Sequence, residues 1–210
     1  NNLGKGWVLG ETLITGIGQG YIQSTPLQLC MMTAQIANGG FAVKPKIIVD
    51  SNPISYEDAK QSMESGLLFD TNSEDLLDKK LFKNQKNIKI VQEAMFASTN
   101  ERFGTSYKSR IDDPKYQFAG KTGTAQVKRI SKRERELDLE LEQIPYKDRD
   151  HALYVAYGPY VNPRYALSII VEHGGSGSKA AAPIAKKLFK LIIDRHDLRN
   201  KQSNFERITV

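Results

Sequence analysis

Hydrophobic and polar positions first indicate a helix that begins at Pro26. Thr25 and Gln28 have the spacing of a capping box, and proline is favoured at the first helical position. Apolar residues then occur all around the helical axis until Asn38-Gly39-Gly40 ends the pattern. A helix that is apolar on every side is usually buried, so we expect residues 26–37 to form a buried, central helix.

A polar segment and a second helix follow. From Asp50 to Lys86 the chain is polar with short apolar clusters, which predicts a surface excursion with one or two short helices. Apolar residues then recur at helical spacing, and the helix that they predict ends near Asn100. These residues are Ile88, Val91, Met95 and Phe96.

After Asn100 the pattern of apolar residues changes from helical spacing to one typical of strands. Segments rich in small, β-branched or aromatic residues predict strands at Phe118–Val127, His151–Tyr157 and Tyr165–Val171. The turn-forming pair Asn162-Pro163 joins the last two strands as an antiparallel hairpin.

A last helix is predicted to begin at Pro183. Ile184, Leu188, Leu191 and Ile192 lie at helical spacing, and we expect this stripe to be buried on the sheet. The order of elements predicts an α+β fold, in which helices, including this C-terminal amphipathic helix, pack on an antiparallel sheet.

Composition fits one globular domain. The chain has 210 residues, of which 40% are hydrophobic, and a formal net charge of +6. Because the basic run at 128–135 continues directly into acidic residues, we interpret 128–150 as a charged, solvated insertion, which argues against nucleic-acid binding. We expect a domain at 1–197 and a polar, poorly ordered tail at 198–210.

Metal and cofactor sites have little support in the sequence. Cys30 is the single cysteine, which excludes an intrachain disulfide and favours a small buried side chain. His151, His173 and His196 are widely spaced, and we expect none of them to bind a metal. The glycines at 16–20 lack the spacing of a dinucleotide-binding loop.

Lys121, Thr122, Gly123 and Thr124 are unusual residues for a core strand. Glycine allows a ligand backbone to approach, lysine supplies positive charge, and threonines donate hydrogen bonds to a carboxylate. Strict alternation would place the Lys121 and Thr122 side chains on opposite faces, although an edge strand could present both. The tetrapeptide alone also fits an ordinary exposed edge strand.

Further motifs occur in order along the chain. They are Gly16-Ile-Gly-Gln-Gly-Tyr21, Thr25-Pro-Leu-Gln-Leu29, Ala37-Asn-Gly-Gly40, Gly120-Lys-Thr-Gly-Thr-Ala-Gln126, Asp150-His-Ala152 and Ala180-Ala-Ala-Pro-Ile-Ala185. With these motifs the chain resembles the class B penicillin-binding proteins from about Leu9 to Ile193, and Lys-Thr-Gly is one of that group's motifs. Asp150-His151 and Glu172–Gly175 resemble the elongation-type members rather than the division-type ones.

This resemblance implies a β-lactamase/transpeptidase-like fold and a serine D,D-transpeptidase that cross-links peptidoglycan and is acylated by β-lactams. It assigns positive potential and a part in proton relay to Lys121. It assigns the substrate carboxylate to Thr122 and Thr124, and half of the oxyanion hole to the Thr124 N–H. By the same resemblance, Gly123 completes the substrate-binding motif and Lys121 and Thr124 would be catalytic, and neither a cofactor nor a metal is implied.

The sequence departs from the family pattern at the nucleophile. No Ser-x-x-Lys precedes Lys121, so the resemblance implies the C-terminal part of a transpeptidase domain that is inactive alone. Ser176-Gly-Ser-Lys179 fits the pattern but follows the Lys-Thr-Gly strand, and an independent hydrolase using Ser176 is a third hypothesis. Ser98-Thr-Asn100 fits Ser-x-Asn, but it lies at a predicted helix end, where capping explains it.

The second hypothesis is a non-catalytic cell-wall or partner-binding module. The transpeptidase hypothesis instead implies stem peptides and β-lactams as ligands, cell-wall synthesis proteins of the membrane as partners, and no nucleic acid. It also implies the periplasmic face of the bacterial inner membrane, with an anchor upstream. A longer reading of the gene separates the two, because only the transpeptidase requires a Ser-x-x-Lys serine.

We predict that this chain self-associates when it is isolated. If the neighbours of a buried helix belong to another segment, their absence exposes apolar surface that favours association. Light scattering should therefore give a mass above that of the monomer. A monodisperse monomer would contradict this expectation.

Overall fold

The computed structural model describes residues 6–16, 18, 20, 23–45, 80–128 and 139–208, with side chains through Arg199. Within these residues, the α-helices are α1 (Leu9–Gly16), α2 (Pro26–Ala37), α3 (Gln85–Asn100) and α4 (Ala182–Ile208). The strands within them are β1 (Ala119–Ala125), β2 (His151–Gly158) and β3 (Tyr165–Val171). The α+β class and the predicted strands are confirmed.

The strands form an antiparallel sheet in the order β1-β2-β3. Lys121 is opposite Val155 in the first pair, and Ala152 is opposite Val171 in the second. The predicted hairpin is therefore confirmed. Within the described residues, β1 and β3 are the two edges of this sheet.

The main core lies between the sheet and α4. Phe118, Tyr154, Phe189 and Ile193 are completely buried there, and the rings of Phe118 and Phe189 stack with centroids 4.9 Å apart. A smaller cluster of Met95, Ala119 and Tyr157, to which α2 and α3 contribute, is also buried. The sheet is thus packed by helices on both faces.

The predicted start of α2 is confirmed, but its predicted burial is wrong. Thr25 Oγ1 accepts the Gln28 N–H at 3.2 Å, and the Gln28 side chain accepts the Thr25 N–H at 2.8 Å. Thr33 is the one fully buried residue of the helix, whereas Leu27 is 54% exposed and Met32 is 42% exposed. The reason is that α2 packs on the sheet, chiefly on β3, with one side of the helix.

The predicted apolar stripe of α4 is also wrong. Ile184, Leu188 and Leu191 are exposed, whereas Ala185, Phe189 and Ile193 are buried. Both sets have helical spacing, but the small side chain of Ala185 allows the helix to approach the sheet closely. Residues 198–208 of the predicted polar tail are helical, because α4 continues to Ile208.

Other sequence predictions meet the structure only in part. The helix α1 was not predicted. Residues 50–79 of the predicted surface excursion and 129–138 of the charged insertion lie outside the described residues. Residues 139–150 contain two short 3₁₀ turns. In the part of the chain that the structure describes, no helix has both the length and the apolar character needed to span a membrane.

We predict that Phe189→Ala lowers the free energy of unfolding by about 3–5 kcal/mol, because it leaves a cavity in the main core. Leu191→Ala on the same helix is the matched control, since Leu191 is 67% exposed. Its effect should stay within about 0.5 kcal/mol. Urea unfolding of both variants measures the difference, and equal destabilisation would contradict the observed orientation of α4.

Candidate functional site

The end of α3 holds the outer edge of β1. The Asn100 side-chain amide donates to the Phe118 carbonyl at 3.0 Å, and the Thr99 hydroxyl lies 3.5 Å from the Gly120 carbonyl. Asn100 also donates to the Phe96 carbonyl of its own helix at 3.0 Å. Asn100 of the Ser98-Thr-Asn100 sequence therefore caps α3 and ties this helix to β1.

These contacts reveal the direction of the β1 peptide groups. Peptide groups alternate sides along a strand, and the carbonyls of Phe118 and Gly120 point away from β2. The Thr122 carbonyl fits the same alternation, because it accepts a hydrogen bond from a side chain, Lys121 Nζ. By the same alternation, the N–H and carbonyl of Thr124 point to the outer edge.

A buried cluster of hydroxyl groups lies directly beneath this edge. The Tyr154 hydroxyl is 2.9 Å from Thr99 Oγ1 and 3.1 Å from Ser106 Oγ, and all three residues are buried. A Cβ at Gly120 would lie 2.4 Å from the Tyr154 hydroxyl, so only glycine lets this ring pass under β1. Burial raises the pKa of Tyr154, which keeps its hydroxyl protonated and able to donate.

The Lys121 side chain reaches Thr122 despite the alternation of the strand. Lys121 Nζ donates to the Thr122 carbonyl at 2.8 Å and lies 3.3 Å from Thr122 Oγ1. The long side chain thus bends around the exposed edge of β1. As a result, the Lys121 ammonium and the Thr122 hydroxyl lie close together beside the outer edge of β1.

The loop after α3 brings a further hydroxyl to the same place. Thr105 Oγ1 is 3.3 Å from Thr122 Oγ1 and 3.3 Å from Ser98 Oγ. Sequence reasoning did not find Thr105, and it explained Ser98 by capping alone. The available signal was Gly104, a lone glycine in a polar loop, and that signal did not indicate which residue faced β1.

Gly123 is less closely packed than Gly177 on the helical segment that follows β3. A Cβ at this position would meet one side-chain atom within 4 Å, Leu153 Cβ at 3.3 Å. Gly177 is different, because a Cβ there would lie 2.3 Å from the Leu153 carbonyl oxygen and 2.8 Å from that of Gly123. Gly177 is thus required by packing within the protein, whereas a Cβ at Gly123 would press only on the Leu153 side chain.

The alternative nucleophile Ser176 contacts another serine and lines a pocket. Its hydroxyl is 3.0 Å from that of Ser178, and it borders an open pocket of about 580 Å³ together with Lys179 and Asp150. The residues that line this pocket do not include Lys121 to Thr124. This pocket therefore gives no information about what the Lys-Thr-Gly residues bind.

Two of the three histidines, which are widely spaced in the sequence, are in contact. The His173 N–H donates to His151 Nδ1 at 2.9 Å, because the start of β2 lies beside the end of β3. His196 instead packs against Tyr165. No group of three or more potential metal ligands occurs among the described residues.

Cys30 is half-buried, and its thiol lies 3.4 Å from the Ala166 carbonyl.

Comparison with known proteins identifies the family. Residues 1–190 match the family described as penicillin binding protein transpeptidase domain. The chain belongs to this family. Peptidoglycan D,D-transpeptidase MrdA of Salmonella typhimurium is 32% identical over 194 residues, which cover 90% of this chain and 28% of the relative. This penicillin-binding protein segment therefore spans less than a third of that relative's length.

Solved structures show the same transpeptidase fold. PBP2 of Pseudomonas aeruginosa in complex with WCK 5153 is 32% identical, with a TM-score of 0.65, over 90% of this chain and 35% of that one. The complex of PBP2 and MreC from Helicobacter pylori gives 32% identity and a TM-score of 0.62, over 90% of this chain and 29% of that one. The predicted transpeptidase-like fold is thereby confirmed.

We predict that Thr99→Val destabilises the chain by about 1–3 kcal/mol, because it leaves the buried Tyr154 hydroxyl without one of its partners. Thr105→Val makes the same chemical change on an exposed residue six positions later. It should alter the free energy of unfolding by no more than about 0.5 kcal/mol. Urea unfolding of the two variants tests this difference, and a stable Thr99→Val protein would show that the cluster contributes little.

Proposed function

We propose that this chain is the C-terminal part of the transpeptidase domain of an elongation-type peptidoglycan D,D-transpeptidase. Residues 1–197 belong to that domain in this proposal, and 128–150 is a charged insertion within it. The observation that carries the proposal is the edge of β1, where Lys121 and Thr122 are presented together and the Thr124 peptide group points outward. The chain forms one wall of a cleft that the whole enzyme completes.

The backbone direction of Thr124 supports its proposed place in an oxyanion hole. Its N–H lies on the outer edge of β1, by the alternation that the Phe118 and Gly120 carbonyls establish. A peptide substrate that lies along this edge can place its reacting carbonyl at that N–H. Such a donor stabilises the negative charge that develops on the carbonyl oxygen during acyl transfer.

Lys121 and Thr122 provide an anion-binding group beside that N–H. The ammonium and the hydroxyl are 3.3 Å apart, and Lys121 is exposed at the edge. A terminal carboxylate gains from a fixed positive charge and from hydroxyl donors. We assign the carboxylate of a D-Ala-D-Ala stem peptide, or that of a β-lactam, to Lys121, Thr122 and the Thr124 hydroxyl, and Lys121 also takes part in proton relay.

The reaction proceeds by acyl transfer. A serine of a Ser-x-x-Lys motif attacks the D-Ala-D-Ala carbonyl, the terminal D-alanine leaves, and an amine of a second stem peptide then displaces the serine. This chain supplies the wall with the oxyanion donor, and the serine belongs to another segment of the longer protein. β-Lactams acylate the same serine, and their opened ring stays attached to it.

The proposed place of the whole protein is the periplasmic face of the bacterial inner membrane, with an anchor upstream of this segment. Its proposed partners are membrane proteins of cell-wall synthesis. This part of the proposal is supported by the similarity to the MrdA protein of Salmonella typhimurium and to the PBP2 that forms a complex with MreC in Helicobacter pylori.

We predict that penicillin acylates a longer protein that contains this segment and a Ser-x-x-Lys serine, but not this chain alone. Intact-mass spectrometry after incubation with benzylpenicillin measures the adduct. Lys121→Ala in the longer protein should slow acylation by about 100-fold, since it removes charge next to the reacting carbonyl. Lys179→Ala is the matched control and should acylate at the normal rate.

Two results would contradict the proposal. Acylation of the short chain would identify a serine within it, such as Ser176, as the nucleophile. Failure of the longer protein to react at all would instead favour a non-catalytic binding module.

A further inference from the structure

The loop at 104–106 is fixed against the end of α3 by its backbone. A Cβ at Gly104 would lie 2.4 Å from the Ser98 carbonyl oxygen and 2.5 Å from that of Ala97, so only glycine allows this approach. The Ser106 N–H and the Ser106 hydroxyl both donate to the Ser98 carbonyl at 3.0 Å. Thr105 lies between these two anchored residues, so its position relative to β1 is set.

Thr105 contacts the Lys-Thr-Gly motif through its hydroxyl. Its Oγ1 is 3.3 Å from Thr122 Oγ1 and 3.3 Å from Ser98 Oγ. Ser98, Thr105 and Thr122 thus form a row of hydroxyls that ends at the anion-binding group. Thr105 itself is exposed, so this row reaches the surface of the protein rather than lying in the core.

The hydrogen-bonding capacity of Thr122 gives this row a direction. A threonine hydroxyl has one proton to donate and two lone pairs to accept. Lys121 Nζ can only donate, and it occupies one lone pair of Thr122 Oγ1. If Thr105 donates to the second lone pair, the Thr122 proton is left to point to an anion. A row of donors also strengthens the last donor by polarisation.

We infer that Thr105 is a positioning residue for the transpeptidase reaction: its hydroxyl orients Thr122 so that Thr122 donates to the substrate carboxylate. The inference rests on the proposed function, in which Thr122 binds that carboxylate. Thr105 acts on recognition of the carboxylate and does not touch the reacting carbonyl. Its loss should therefore affect only ligands that carry the carboxylate.

The test compares benzylpenicillin with its methyl ester, which lacks the negative charge. The second-order acylation rate constant is measured for both ligands in the longer protein that contains the serine. Thr105→Val keeps the shape of the side chain and removes the hydroxyl. It should lower the ratio of the acid rate constant to the ester rate constant about tenfold, which corresponds to about 1.4 kcal/mol.

Three further variants make the test specific. Thr105→Ser retains the hydroxyl and should restore the ratio. Tyr107→Phe removes a hydroxyl from the same loop, outside the row that ends at Thr122, and should leave the ratio unchanged. Thr122→Val should lower the ratio, and adding Thr105→Val to it should have no further effect, because the two residues act through one hydrogen bond.

The outcomes separate this inference from the proposed function. If Thr105→Val slows the acid and the ester equally, or leaves their ratio unchanged, the positioning role is wrong while the transpeptidase assignment stands. Additive effects of Thr105→Val and Thr122→Val would also overturn it. If the unchanged longer protein does not react with benzylpenicillin, the proposed function fails, and the inference fails with it.

Discussion

The Tyr154 hydroxyl beneath Gly120 is the interaction on which the rest of the site depends. It joins β2 to Thr99 at the end of α3 and to Ser106 in the following loop. Buried hydroxyls are costly unless they are paired, so these three segments are stable together only in one arrangement. Because the Tyr154 ring passes under Gly120, the same arrangement fixes β1 at the point where the Lys-Thr-Gly motif begins.

This constraint divides the outer edge of β1 into two parts. The carbonyls of Phe118 and Gly120 are used by Asn100 and Thr99, so that part of the edge serves the fold. At Thr122 the outer edge is contacted by the Lys121 side chain rather than by α3. A strand edge attracts further backbone, and here the open part is short and carries a positive charge. These two properties suit the anionic peptide of the proposed function better than a neighbouring strand.

The sequence was sufficient for what local chemistry decides. The α2 cap, the three strands and the Lys-Thr-Gly motif follow from residue types at short spacing, and the structure bears out the first two. The features that the sequence could not predict depend on residues that packing brings together. Helical spacing suits the Ile184 stripe and the Phe189 stripe of α4 equally well, and only the close approach at Ala185 selects the second. The contact between Thr105 and Thr122 spans 17 residues and depends on Gly104.

The surfaces that this chain leaves uncovered differ in their chemistry. The apolar residues Ile184, Leu188 and Leu191 are exposed on α4, and Leu27 and Met32 are exposed on α2. Apolar patches of this kind are suited to burial by protein, whereas the Lys121 edge is suited to a small charged ligand. Since the polar edge is held by buried hydroxyls and not by those patches, its geometry is set within this segment. In the proposed function, this segment therefore supplies one preformed wall of the cleft, and the serine comes from another segment of the longer protein.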